Sequence, residues 1–202
     1  VHVAEPLDLT QAYVLKLDGV TNRTLGVMTT PDGVFDKIRS DKPMGATLDK
    51  ARGTTTYRLF APRARNAWLC FFDRPAAVTW TPSFKRFPPT EEYRMWKDPK
   101  DGVWEITTRG LDVGRFYGFR VDGPPGDGEG FDPAFVVGDP YGRAAANADG
   151  LTIVVDPAAT NQWFKGWTDQ AWQTPNPQDA VIYECHVRGM TVHPSSGAPA
   201  PK

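Results

Sequence analysis

Gly102-Val-Trp-Glu-Ile-Thr-Thr108 and Arg115-Phe-Tyr-Gly-Phe-Arg-Val121 both alternate with a period of two, and the second stops at Asp122-Gly123-Pro124. That period places alternate side chains on the two faces of a strand. Asp-Gly-Pro is turn chemistry. The same pattern recurs on either side. Thr54–Leu59 alternates β-branched and aromatic residues before Ala61-Pro62, Ala67–Phe72 ends at Asp73-Arg74-Pro75, and Leu151–Val155 closes at Asp156-Pro157. Shorter candidates are Tyr13–Leu17, stopped by a hairpin-type Asp18-Gly19, and Val78–Thr81, Tyr93–Trp96 and Val181–Val187. Residues 19–53 read as turns and a connector, with a short helix at most. No stretch sustains a 3.6-residue period. Short strands at roughly ten-residue spacing mark a sandwich or barrel. The fold class is therefore mainly β, an immunoglobulin-like β-sandwich built on Thr54 to Pro157.

Composition narrows the function. The 202 residues include 19 Gly and 19 Pro, a high share that stays below the level of low-complexity disorder. Seven Trp, six Tyr and eleven Phe are enough to build a core, which excludes disorder, collagen and coiled coil. The longest uncharged apolar runs are strand-sized, too short for a membrane helix. With 23 Lys+Arg against 24 Asp+Glu, the net charge of -1 gives no electrostatic case for nucleic acid or a membrane surface. Cys70 and Cys185 each sit in an apolar run and read as two buried free thiols. A disulfide-stapled fold would carry more cysteines. His186 adjoins Cys185, but strand neighbours face opposite ways, so no catalytic thiol is assigned. Gly126-Asp-Gly-Glu-Gly130 could offer oxygens to Ca²⁺ but lacks the twelve-residue loop pattern and reads as a turn. No metal site is assigned.

Sugar recognition needs exposed aromatic faces beside hydrogen-bonding groups. Trp80, Tyr93 and Trp96 are the substrate-binding candidates, with Lys85, Lys97 or Asn66 as polar neighbours. Trp104 shares a face with Ile106 and reads as core, as does Trp68. Trp163, Trp167 and Trp172 read as packing residues. In Val181–Arg188, Ile182, Glu184, His186 and Arg188 lie on one face, and Val181, Tyr183, Cys185 and Val187 on the other. A charged face that is buried needs partners. Glu184, His186 and Arg188 therefore read as a structural polar network rather than a metal or acid/base site.

Three segments carry a family resemblance. Thr54-Thr-Thr-Tyr-Arg-Leu-Phe-Ala-Pro62 resembles the opening strand of the family 48 carbohydrate-binding module. Tyr117-Gly-Phe-Arg-Val-Asp-Gly-Pro124, Gly130-Phe-Asp-Pro133 and Asp139-Pro-Tyr-Gly-Arg-Ala144 resemble its closing part in starch-debranching enzymes. Asp179-Ala-Val-Ile-Tyr-Glu-Cys-His-Val-Arg-Gly-Met-Thr191, then His193-Pro-Ser-Ser-Gly197, is similar to the first barrel strand of family 13 glycoside hydrolases of the isoamylase and pullulanase type. Pro6–Tyr13 is similar to the segment preceding the module in type I pullulanases.

The resemblance implies an organisation: 1–45 as N-terminal segment and connector, 46–157 as the sandwich, 158–178 as a linker packing on the barrel, and 179–202 as the start of a truncated (β/α)8 barrel. It also implies a parent enzyme, a retaining α-glucan hydrolase, whose catalytic carboxylates lie on later barrel strands. No catalytic residue then falls in this chain, and the chain alone is expected to be inactive. The implied partners are α-glucan polysaccharide and the remainder of the barrel, with no cofactor and with Ca²⁺ allowed in the parent. Asp122-Gly123 is followed by Pro124-Pro125-Gly126, where sugar-binding members often carry a Trp. The module is therefore expected to buttress the barrel, with at most weak glucan affinity. A stand-alone starch- or glycogen-binding module, a glycogen branching enzyme, a trehalohydrolase and a non-sugar interaction domain are the alternatives. Val1 in place of Met, and the loop composition of 193–202, suggest part of a longer bacterial protein. Secreted, cell-surface and cytoplasmic locations all stay open.

Overall fold

The computed structural model describes residues 7–17, 25–29, 37–74, 88–126, 129–146, 150–162, 165–168 and 171–198. The strands are β1 (Tyr13–Leu17), β2 (Leu25–Thr29), β3 (Gly45–Asp49), β4 (Thr54–Phe60), β5 (Asn66–Phe72), β6 (Glu91–Arg94), β7 (Trp96–Lys97), β8 (Val103–Arg109), β9 (Phe116–Asp122) and β10 (Thr152–Ile153). Two short helices follow, α1 (Pro157–Asn161) and α2 (Val187–Thr191). The chain divides into two compact units, 1–162 and 163–202.

In the first unit, β1 and β2 form an antiparallel pair with Leu17 opposite Leu25. Residues 25–29, expected as turns, are thus a strand: β1 supplies the ladder partner that so short an apolar island cannot signal by itself. The sandwich has two antiparallel sheets, ordered β3-β4-β8-β7 and β10-β9-β5-β6. β3 lies in the stretch read as connector and is an edge strand paired with β4, Ala46 opposite Tyr57. The candidate strand Val78–Thr81 lies outside the described residues.

Alternation sets the core. Thr55, Tyr57 and Leu59 of β4 turn inward, as do Ala67, Leu69 and Phe71 of β5 and Tyr117 and Phe119 of β9. Tyr57 meets Phe71 edge-on at 5.5 Å and Tyr117 at 5.0 Å. Burying each such side chain contributes about 1.5–3 kcal/mol. The two tyrosine hydroxyls find acceptors at the rim: Tyr57 donates to Asp112 at 3.1 Å and Tyr117 to Asp139 at 2.6 Å. Asp112 takes φ 45° and also accepts from Thr108 Oγ1 and Arg115. The Arg115 guanidinium lies 3.7 Å from the Phe71 ring centroid.

Trp104 is core, as expected, and its indole N–H donates to the Ala61 carbonyl at 3.0 Å. Trp68 instead faces away from the inter-sheet core. It packs on a second apolar cluster of Cys70, Phe72, Val136 and Leu151, on the outer side of the β9-β5 sheet. Crossing of that face is possible because Gly118 has no Cβ; one built there would sit 2.5 Å from Val136 Cγ1. Gly123 is crossed in the same way by the Phe131 ring.

The second unit holds α2 and 3-10 turns at Pro177–Asp179 and Pro194–Ser196. The strand expected over 181–187 is not formed: 181–186 pair with no described strand, and Val187 begins α2. Alternation favours an extended segment, but a ladder also needs a neighbour. For the same reason Cys185 is exposed, contrary to the expectation of two buried thiols, whereas Cys70 is fully buried.

Candidate functional site

The three aromatic candidates are not brought together on one surface. Trp80 lies outside the described residues. Tyr93, in β6, is 41% exposed at the sheet edge, its ring edge-on to Phe71 at 6.2 Å, and its hydroxyl donates to Glu91 at 2.6 Å. The chain then changes sheets at Met95, which is buried and donates its N–H to Ala67 O at 2.9 Å. Trp96 follows in β7 on the outward face of the other sheet, 81% exposed and opposite Glu105. Glu105 is ion-paired with Arg58 on the neighbouring strand β4. Of the polar neighbours, Lys97 does not reach solvent freely. Its ammonium donates to the carbonyls of Pro62 and Ala64 and lies 5.7 Å from the Trp104 centroid, and burial lowers its pKa. Asn66 bonds Asp122 and Arg94; Lys85 lies outside the described residues.

The segments that carry the resemblance have structural work. Asp139 is buried and accepts from Tyr117 Oη and from the Tyr141 N–H at 2.8 Å, while its own N–H donates to Thr152 Oγ1. The Asp-Pro-Tyr-Gly turn thus ties β9 to β10. Glu129, in the Gly-rich acidic stretch, is held by Arg63 through two hydrogen bonds of 2.9 and 2.5 Å, with both side chains largely buried. Its carboxylate is committed to that pair.

An open groove of about 660 Å³ runs along the flank between β3 and β10. Met44, Leu48, Tyr117, Ile153 and Val155 line it, with Tyr141 and Arg143 at one side and the Lys50–Asp156 ion pair of 2.6 Å across its rim. The sequence pattern does not mark this groove, although Tyr141 and Arg143 stand inside the Asp139–Ala144 motif. The signal it lacked was that β3 is a strand.

In the second unit Glu184, His186 and Arg188 are all exposed and form no network among the described residues. His186 caps α2, its Nδ1 accepting from Gly189 N–H at 3.4 Å. Val181 is 98% and Ile182 88% exposed. Trp167 and Trp172 are exposed, and Trp163 lies outside the described residues.

The sandwich architecture alone does not assign a function; sequence comparison narrows it. Residues 43–142 match the family "Carbohydrate-binding module 48 (Isoamylase N-terminal domain)". The glycogen operon protein GlgX homolog of Mycobacterium tuberculosis is 32% identical over 181 residues, covering 76% of this chain and 23% of that protein. The chloroplastic isoamylase SU1 of Zea mays is 30% identical over 171 residues, covering 76% and 20%. Among solved structures, the pullulanase of Paenibacillus barengoltzii in complex with maltohexaose and α-cyclodextrin superposes with TM-score 0.53 at 29% identity, covering 81% of this chain and 22% of that one. Residues 43–142 belong to the module 48 family, and the chain is similar to part of these longer relatives. It spans about a fifth to a quarter of the length of these relatives.

Proposed function

We propose that this chain is the non-catalytic front region of an α-glucan debranching enzyme, of pullulanase type, that hydrolyses α-1,6-glucosidic bonds in pullulan, starch or glycogen. What most supports the reading is the run Val181-Ile-Tyr-Glu-Cys-His-Val-Arg188, which follows the sandwich in the sequence. Its apolar side chains are exposed in this chain, and they match in kind the first strand of a barrel. Exposing such a run is unfavourable for a soluble protein unless a partner covers it. The barrel would supply that cover on both faces, with Glu184, His186 and Arg188 in its interior network. In this reading 1–45 is a connector, 46–157 the module, 158–178 a linker whose tryptophans pack on the barrel, and 179–202 the barrel's beginning. The module chiefly buttresses the barrel.

The test is substrate cleavage by the whole enzyme. Reducing ends released from pullulan and glycogen, but not from linear amylose, are the expected result. Activity on amylose alone, or none on any glucan, would overturn the reading. The 202-residue chain should release nothing. The exposed Trp96 favours a second reading, a stand-alone starch- or glycogen-binding module. It predicts retardation in amylopectin gels without any hydrolase attached.

A further inference from the structure

We propose that the groove between β3 and β10 seats the sandwich's partner on its own chain: a surface segment of the barrel in the whole enzyme, with aliphatic side chains on the groove floor and a carboxylate on Arg143. This rests on the debranching-enzyme reading and assigns the buttressing contact a face and a chemistry.

The groove is a flank where the core is left partly uncovered. On the opposite flank the chain itself crosses from β6 to β7 at buried Met95. β3 ends its sheet and has no strand on its outer side among the described residues. The β10 side is closed: Ala146 N–H donates to the Leu151 carbonyl at 2.9 Å and Ile153 N–H to the Ala144 carbonyl at 2.8 Å. The unmatched backbone edge is therefore that of β3. Ala46 and Leu48 on that strand are half-buried and pack on the inter-sheet core, and Ile153 and Val155 across the groove are half-buried too. Apolar surface that continues a core gains by being covered.

Connectivity, charge and backbone chemistry select the occupant. Asp156, Pro157 and Ala158 line the groove, and α1 begins at Pro157, so the chain leaves the sandwich from this rim. A partner on the same chain meets the groove at an effective concentration in the millimolar range, an advantage that no separate protein has. The rim charges are matched except at one side. Lys50 pairs with Asp156 at 2.6 Å and Asp49 with Arg52 at 3.3 Å, whereas exposed Arg143 makes no ion pair or side-chain hydrogen bond among the described residues. A planar guanidinium beside an apolar floor calls for a carboxylate flanked by aliphatic side chains. The outer edge of β3 offers backbone N–H and C=O groups, which a polypeptide can match and an apolar small molecule cannot. A groove this open would also leave a small ligand largely in water.

The experiment is hydroxyl-radical footprinting of the 202-residue chain and of the whole enzyme, read by mass spectrometry at Met44 and Tyr141, both on the groove. The expected result is that both residues react several-fold more slowly in the whole enzyme. Arg143→Glu should return Tyr141 most of the way to its reactivity in the 202-residue chain, and Arg143→Lys should keep most of the protection. Neither substitution should move the Tm of the 202-residue chain, where Arg143 has no partner to lose, so a loss of protection cannot be ascribed to misfolding. Equal reactivity of Met44 and Tyr141 in chain and enzyme, or full protection in the Arg143→Glu enzyme, would overturn the proposal. So would protection of Tyr141 in the 202-residue chain by maltoheptaose, which would make the occupant a sugar, or protection that grows with the concentration of that chain, which would make it a second copy. Glucan cleavage is scored separately. Cleavage without protection sinks the docking alone, and protection without cleavage sinks the debranching reading alone.

Discussion

Tyr117 Oη donates to Asp139 Oδ2 at 2.6 Å with both residues buried, and this one contact fastens strand β9 to the turn that closes the sandwich. The carboxylate has a second donor in the Tyr141 N–H, and Thr152 Oγ1 receives the Asp139 N–H. A buried carboxylate stripped of one donor keeps its desolvation cost. Tyr117→Phe retains the ring contacts with Tyr57 and Phe119 and removes only the hydroxyl. It should cost about 1–3 kcal/mol in urea unfolding; a change below a few tenths would show that the contact is not formed.

The same carboxylate carries a pH signature. Burial raises the Asp139 pKa above its ordinary value, outweighing the hydrogen bonds from Tyr117 and Tyr141 that lower it. With the folded value above the unfolded one, the stability linked to this group is full below the unfolded value, about pH 4. It is lost as pH rises through the folded value. Asp139→Asn does not titrate. The stability difference between parent and variant should therefore move in the parent's favour as pH falls from neutral toward about 4. Asp98 and Asp156 carry the opposite sign. The ammonium groups of Lys42 and Lys50 hold their pKa values down, so their contribution is lost only at more acid pH. That loss is common to both proteins and cancels in the difference, which melts at matched pH would read.

Gly118 is required by a crossing rather than by a turn. An alanine Cβ there would stand 2.5 Å from Val136 Cγ1 and 2.7 Å from the Val137 carbonyl oxygen. Gly118→Ala should destabilise the sandwich by about 1–3 kcal/mol through overpacking. Calorimetry would register this as a lowered Tm; an unchanged Tm would mean that residues 136–137 do not cross the sheet there.

The two thiols should behave differently. Cys185 is exposed, while Cys70 is buried and its pKa is pushed up to about 12, chiefly by burial and next by the Glu92 carboxylate. Only the thiolate attacks a disulfide reagent. The native chain should titrate one thiol rapidly and the second only in denaturant. Two fast thiols would contradict the covered outer face of the β9-β5 sheet.

Much of this fold was legible in the sequence, and the parts that were not share a physical cause. β4, β5, β8 and β9 announced themselves because each is long enough for alternation or a continuous apolar run to be read. β3 did not, since Gly45-Ala-Thr-Leu-Asp49 is a short edge strand whose identity lies in its pairing with β4. Tyr93 and Trp96 looked like neighbours on one strand, but the change of sheet at buried Met95 turns them to different faces. Trp68 was expected in the core with Trp104, but it belongs to a separate cluster on the outer side of the sheet, which forms only because Val136 and Leu151 pack there. Val181–Val187 failed in the other direction. Its pattern is that of a strand, and no described residue pairs with it.

Amide hydrogen exchange reads the pairing of that last segment directly. Exchange across Val181–Val187 can be compared between the 202-residue chain and the whole enzyme. Exchange should be fast in the chain and slowed by orders of magnitude in the enzyme, as for an inner barrel strand. Fast exchange in both would contradict the barrel reading, because the exposed apolar run would then have no barrel to complete.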